Sequence, residues 1–147
     1  MEKLLNEQVI GQIKQAFADL PNPVQMLFFG AKENCEYCGE TKQMLTELSE
    51  IDSRVSLSVH DLEDDAALAA QYRVDKVPVI VVASNSSEQT VNLGVQFSGI
   101  PAGYEFSTLI NDIILASKRT TGLGAATREF LKTLTEPLHL QVFVTPT

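Results

Sequence analysis

The stretch of sequence that decides the fold reads Val24-Gln25-Met26-Leu27-Phe28-Phe29, then a corner from Gly30 to Asn34, then Cys35-Glu36-Tyr37-Cys38, then Gly39-Glu40-Thr41-Lys42-Gln43-Met44-Leu45-Thr46-Glu47-Leu48. The first six residues are mostly apolar and predict a buried strand, and the last ten have the apolar spacing of an amphipathic helix. The two cysteines, the only ones in the chain, lie at the corner between them. Because a helix N-terminus can hold a thiol as its reactive thiolate, the pattern predicts a thiol–disulfide exchange site.

Length, charge and cysteine content limit what the chain can be. Its 147 residues predict one domain with extra elements at the ends, and its net charge of −8 argues against binding to nucleic acid. We see no apolar run near the ~18 residues of a membrane span and no signal peptide, so we expect a cytoplasmic protein with no membrane partner. In that reducing compartment a close cysteine pair is more often catalytic or metal-binding than structural.

The rest of the chain alternates between helical and strand patterns. The periodicity predicts a mixed sheet with helices on its faces. The predicted helices are 3–20, 39–50, 64–72, 104–118 and 127–135, and the predicted strands are 24–29, 54–60, 77–82, 90–98 and 137–144. The acidic run from Asp61 to Asp65 is interpreted as the start of a helix, where carboxylates are favoured, and not as a metal site.

The cysteine pair has the spacing that dithiol chemistry requires. Cys35 is predicted at the N-cap or first position of the helix, where free N–H groups favour negative charge. Cys38 lies three residues on, which puts it on the same face. Cys35 would attack a substrate disulfide, and Cys38 would then displace the substrate. Of the neighbouring charges, Lys32 would favour the thiolate, whereas three glutamates would oppose it: Glu33, Glu36 and Glu40.

Three other interpretations of the pair remain open. A half zinc site would need two more ligands, and only His60 and His139 are present as histidines. A static disulfide across so small a loop would stabilise the fold little. An inert pair in a vestigial unit is the third alternative.

Pro78 is the second informative position. A proline that opens a strand removes one ladder donor, and on its own it is typical of a strand edge. If the bond from Val77 to Pro78 is cis, the backbone turns sharply and leaves polar groups free beside the cysteines. Its place about forty residues after the cysteine pair therefore favours a functional role.

These motifs together resemble the thioredoxin superfamily over about residues 22–118. The longer pattern resembles the N-terminal unit of the glutaredoxin-like protein disulfide oxidoreductases, which contain two fused thioredoxin-fold units. This longer sequence pattern consists of the Cys35-to-Thr41 segment, Val77-Pro78 and Gly94-Val95-Gln96-Phe97-Ser98-Gly99-Ile100-Pro101-Ala102-Gly103-Tyr104-Glu105-Phe106.

The resemblance implies an α/β thioredoxin fold with a mixed four-stranded central sheet flanked by helices. The resemblance places this thioredoxin-fold domain at residues 22–119 and implies an additional N-terminal helix in residues 1–21. It also adds a helix-strand extension at 120–147, in which a second unit would begin.

The same resemblance assigns roles to individual residues. Cys35 is the attacking thiol and Cys38 the resolving thiol. Pro78 is the cis-proline that faces the disulfide, and Val77 offers its backbone to an extended substrate. Tyr37 and Gly99 complete the expected substrate contacts.

The expected substrates are protein disulfides, and the expected electron donor is a flavoprotein disulfide reductase. No metal or organic cofactor is implied. The paired glycines of a glutathione site are not matched at Gly99-Ile100-Pro101-Ala102-Gly103, which argues against glutathione as a partner. Two alternatives are an electron relay between a flavoprotein reductase and a peroxiredoxin, and a redox-inactive docking unit.

Overall fold

The computed structural model describes residues 3–87 and 89–145, and five helices and four strands lie in that part of the chain. In chain order they are α1 (Glu7–Phe17), β1 (Val24–Gly30), α2 (Cys38–Ser49), β2 (Val55–Asp61), α3 (Ala66–Gln71), β3 (Val79–Asn85), β4 (Thr90–Ser98), α4 (Tyr104–Lys118) and α5 (Ala125–Lys132). The outer ends of the predicted 1–21 and 120–147 segments, at Met1, Glu2, Pro146 and Thr147, lie outside the described residues, as does Glu88.

The four strands form one mixed sheet in the order β2-β1-β3-β4. β1 pairs in parallel with β2, and α2 provides the crossover between them. β3 runs antiparallel to both β1 and β4, with a bulge at Val82 and Ala83. The predicted mixed four-stranded sheet flanked by helices is therefore confirmed.

The sheet is covered on both faces, because alternate residues of a strand point to opposite sides. On one face, Met26 and Phe28 pack in a core with buried residues of α1, α2 and α4. On the other face, Leu27 and Phe29 pack against α3 and the residues just after it, including Tyr72. Burial on both faces explains why β1 is a nearly continuous apolar run in the sequence.

The N-terminal helix is shorter than the predicted 3–20. Asn6 begins it, since its side chain accepts a hydrogen bond of 2.9 Å from the Val9 N–H. Just before that cap, the Leu5 N–H donates to the Glu47 carboxylate of α2 at 2.9 Å. Residues 3–5 are thus not helical, and the backbone of Leu4 and Leu5 contacts α2.

The predicted strand at 137–144 is not formed. These residues have no regular secondary structure, and all of them are exposed. A strand is stabilised by hydrogen bonds to a neighbouring strand, and this segment pairs with none of the described strands. Its apolar side chains therefore have no packing partner within the described chain; Phe143, for example, is 90% exposed.

The helices of the described residues are too short, or not apolar enough, to cross a lipid bilayer.

Candidate active site

The cysteine corner connects the end of β1 to the start of α2. After Gly30 the chain bends through residues 32–34, and Asn34 takes the left-handed conformation with φ of 55°. Asparagine tolerates that conformation better than most residues with a side chain. Cys35 follows at once and forms a disulfide with Cys38, with their Cα atoms 5.4 Å apart.

The two cysteines differ in their relation to α2. Cys38 is its first residue and Tyr37 its N-cap, so the prediction that Cys35 would occupy the N-cap or first position is wrong. A turn at residues 36 and 37 separates Cys35 from the helix. The Tyr37 carbonyl accepts two hydrogen bonds from Thr41, from its N–H at 3.0 Å and its hydroxyl at 2.7 Å, which fixes the first turn.

The side chain of the N-cap residue Tyr37 makes no capping hydrogen bond to the first turn of α2. The first N–H groups of a helix have no partner within it, so they face the corner and favour negative charge there. Cys38 is half-buried and packs against the core beneath the sheet. Cys35 is also half-buried, but its neighbours on both sides are exposed, from Lys32 to Asn34 and from Glu36 to Tyr37. The loop around Cys35 is therefore open to solvent, whereas Cys38 packs against the core.

The charged side chains around the corner are mostly acidic. Glu33, Glu36 and Glu40 are all exposed. Lys32, the cation expected to support the thiolate, forms an ion pair with Asp64 instead. That hydrogen-bonded ion pair raises the pKa of Lys32. The cation is thus drawn towards the start of α3.

The start of β3 lies at the same end of the sheet as the cysteine corner. Phe29 pairs with Val79, so Pro78 lies beside the position of Gly30 at the end of β1. Pro78 is buried, and its bond to Val77 is cis. The Gly99 N–H donates to the Pro78 carbonyl at 2.9 Å. The structure therefore gathers Pro78 and Gly99 at the end of the sheet where Cys38 begins α2.

The two remaining predicted contacts are accessible. Tyr37 is 45% exposed beside the disulfide. Val77 is half-buried, and its backbone N–H and C=O form no hydrogen bond with the described residues. Unsatisfied backbone groups at a strand start can pair with an extended peptide.

Gly30 is a site residue that the sequence analysis missed, since it was assigned to the corner. It is the buried last residue of β1 and pairs with Asp61 of β2. A β-carbon on Gly30 would lie 3.2 Å from the Cys38 Sγ. The signal was a glycine at the end of an apolar strand, which often marks a close approach by another group.

His60, which a zinc site at the cysteine pair would need as a ligand, contacts other side chains. Its Nδ1 lies 3.4 Å from the Asp65 carboxylate, its Nε2 lies 3.0 Å from the Ser58 hydroxyl, and its ring packs on Phe29. Within residues 3–87 and 89–145, no group of three or more His, Cys, Asp or Glu residues is arranged to hold a metal ion.

Three features together define the class of thioredoxin-fold proteins with a Cys-x-x-Cys disulfide: the sheet order, the cysteine pair at the start of the helix after β1, and the cis-proline before β3. Within that class, the chain is similar to the glutaredoxin-like protein disulfide oxidoreductases and to the N-terminal domain of the alkyl hydroperoxide reductase AhpF.

Comparisons with known proteins find relatives in both of these groups. No protein-family model matches the chain. The chain is 28% identical over 144 residues to the alkyl hydroperoxide reductase AhpF of Staphylococcus aureus (strain Mu50), covering 98% of this chain and 25% of that protein. It thus spans about a quarter of the curated relatives that it matches.

Two solved structures share the fold. A protein disulfide oxidoreductase from Aeropyrum pernix K1 superposes with a TM-score of 0.76 at 28% identity, over 90% of this chain and 57% of that one. The NTD_N/C domain of alkylhydroperoxide reductase AhpF from Enterococcus faecalis (V583) superposes with a TM-score of 0.75 at 25% identity, over 85% of this chain and 58% of that one.

Proposed function

We propose that this chain reduces protein disulfides through a Cys35–Cys38 dithiol, with Cys35 as the attacking thiol and Cys38 as the resolving thiol. The observation that carries the proposal is the position of the disulfide. It lies at the start of α2, where the side chain of the N-cap residue Tyr37 makes no capping hydrogen bond, and its outer cysteine is in an exposed loop. An inert structural pair would need none of these features.

The exchange follows from the positions of the two sulfurs. The Cys35 thiolate attacks one sulfur of the substrate disulfide, which forms a mixed disulfide and releases one substrate thiolate. The Cys38 thiolate then attacks the Cys35 sulfur. A bond forms between the two cysteines as the bond to the substrate breaks, and the second substrate thiolate leaves. The substrate gains two electrons, and the chain is left with the Cys35–Cys38 disulfide.

The substrate is proposed to bind as an extended strand at Val77. The free N–H and C=O of that residue would pair with the substrate backbone, and main-chain bonds of this kind do not depend on substrate sequence. Tyr37 would contact the substrate on the other side of the disulfide. Protein disulfides in extended segments fit this arrangement.

A flavoprotein disulfide reductase is the proposed electron donor, which would reduce the Cys35–Cys38 disulfide after each turnover. The proposed setting is the cytoplasm, where dithiols are kept reduced. We further propose that residues 120–147 form the beginning of a second thioredoxin-like unit, whose sheet would supply the strand partner that residues 137–144 lack.

A second candidate function is an electron relay from a flavoprotein reductase to a peroxiredoxin. The match to an alkyl hydroperoxide reductase protein over 98% of this chain favours it. Both functions use the same dithiol, so they differ only in the disulfide that accepts the electrons.

The test is insulin-disulfide reduction with dithiothreitol, in which precipitation of the insulin B chain is followed by turbidity. We expect wild type to accelerate the reaction and Cys35→Ser to be inactive. Cys38→Ser should accumulate a mixed disulfide that mass spectrometry detects. Equal rates for wild type and Cys35→Ser would contradict the proposal and leave the docking-unit alternative.

The relay is tested by supplying reducing equivalents through NADH and a flavoprotein reductase, with a peroxiredoxin and peroxide as acceptors. Peroxide-dependent NADH oxidation that needs Cys35 would support the relay. Transfer to insulin but not to the peroxiredoxin would leave general protein-disulfide reduction as the function.

A further inference from the structure

The end of β1 approaches the inner cysteine unusually closely. Side chains two residues apart in a strand point to the same face of the sheet, so a side chain at position 30 would point to the same face as Phe28. That face is the one on which α2 packs. A β-carbon on Gly30 would lie 2.8 Å from the Phe28 Cε1 and 3.2 Å from the Cys38 Sγ. Ordinary contacts between such atoms are about 3.5–4.0 Å. The space for a side chain is therefore already filled by a ring and a sulfur.

Position 30 is also held firmly by the backbone. Gly30 pairs with Asp61 across the parallel strands, and its carbonyl accepts a 2.9 Å hydrogen bond from the Leu62 N–H. The backbone at this position cannot move away without loss of those contacts. A side chain here would displace Phe28 and Cys38, and the strand would stay in place.

From this geometry we propose that Gly30 is a positioning residue for Cys38. The absence of a side chain at position 30 leaves the space in which the Cys38 sulfur lies when it bonds to Cys35. The proposal rests on the role of Cys38 as the resolving thiol. It goes beyond that role by stating that the end of β1 sets how readily the disulfide closes.

The direction of the effect follows from which state can relieve the crowding. In the disulfide, the Cys38 sulfur is covalently held near position 30 and cannot rotate away. In the dithiol, its side chain is free to adopt another staggered rotamer. A methyl group at position 30 therefore raises the free energy of the disulfide more than that of the dithiol. The same crowding opposes the attack of Cys38 on the mixed disulfide.

The first measurement is the dithiol–disulfide equilibrium of Gly30→Ala against dithiothreitol, read by alkylation and mass spectrometry. We expect a shift of at least about threefold towards the dithiol; a tenfold shift would correspond to about 30 mV for this two-electron couple. Gly39→Ala is the matched control, because a β-carbon on Gly39 meets nothing within 4 Å although that residue follows Cys38 directly. An unchanged equilibrium in Gly30→Ala would overturn the proposal.

The second measurement separates the two steps of exchange. Reduced protein is mixed with 5,5′-dithiobis(2-nitrobenzoate). Attack by Cys35 releases one thionitrobenzoate, and attack by Cys38 on the resulting mixed disulfide releases the second. Gly30→Ala should slow the second release at least about threefold and leave the first unchanged. Slowing of both steps by the same factor would indicate a general loss of structure and would refute the positioning role.

A double variant separates the effect of the contact with the Cys38 sulfur from the effect of the contact with the Phe28 ring. Phe28→Leu removes the aromatic atoms that a β-carbon at position 30 would meet first, so Gly30→Ala in that background should fold with less strain. If the shift towards the dithiol persists relative to Phe28→Leu alone, the contact with Cys38 causes it. If the shift disappears, displacement of the ring is the cause and the proposal fails. Because neither measurement uses a protein substrate, inactivity of the wild type towards insulin would refute the proposed function without deciding this inference.

Discussion

Gly99 provides the sharpest test of how backbone conformation supports the site. It has φ of 94°, and its N–H holds the Pro78 carbonyl at 2.9 Å. A β-carbon there would meet nothing within 4 Å, so Gly99→Ala changes only the backbone preference. A non-glycine residue in this region costs about 1–2 kcal/mol.

The stability effect can be converted into a melting temperature. An unfolding entropy of about 2.1 cal/mol/K per residue gives about 0.3 kcal/mol/K for 147 residues. The strain in Gly99→Ala therefore predicts a Tm lower by about 3–6 °C. Differential scanning calorimetry of the oxidised protein measures it directly.

Gly94→Ala is the matched control. Gly94 has φ of 74° and equally open space, but it lies in the middle of β4. Both variants should lose similar stability, whereas only Gly99→Ala should slow insulin reduction, by about fivefold or ~1 kcal/mol of barrier, because only it disturbs Pro78. The reasoning is refuted if Gly99→Ala keeps the wild-type Tm, or if both variants slow turnover equally.

Three further predictions concern the fold. Phe17→Ala should lower the free energy of unfolding by about 3–5 kcal/mol in urea titrations, because Phe17 is fully buried and joins α1 to the core; a loss below about 1 kcal/mol would show that α1 is peripheral. Burial raises the pKa of Asp112, so the folded state retains a proton that the unfolded chain releases above about pH 4. The free energy of unfolding therefore falls as the pH rises from about 4 through the raised pKa of the folded state. Asp112→Asn should therefore raise Tm at pH 7 and leave it unchanged at pH 3, and an equal change at both pH values would contradict this cause. A chain shortened to end at Thr120 should keep its Tm within about 2 °C, since residues 121–145 are all exposed; a larger fall would show that this segment stabilises the domain.

Local sequence patterns predicted the β1–α2 corner well, because a continuous apolar strand and an amphipathic helix have distinct periods. The same reasoning misplaced Cys35 relative to the helix. A helix begins at the residue whose carbonyl accepts the first hydrogen bond from an N–H four residues later, and here that carbonyl belongs to Tyr37 and accepts from Thr41.

The segment 137–144 shows the limit of pattern recognition. Its apolar residues favour a strand, but a strand exists only when a neighbour supplies its hydrogen bonds. None of the described strands pairs with this segment, so the pattern is present without the structure.

By itself, the sequence determined the order of helices and strands from α1 to α5, the class of sheet and the position of the cysteine pair, because hydrophobic period and motif spacing are properties of neighbouring residues. Only the tertiary structure decided what surrounds those sulfurs. Pairing across the sheet brings Pro78 beside Gly30, and packing of α2 brings the Cys38 sulfur against that glycine. These contacts join residues far apart in the chain, and they depend on the register and packing that form only when the whole sheet assembles.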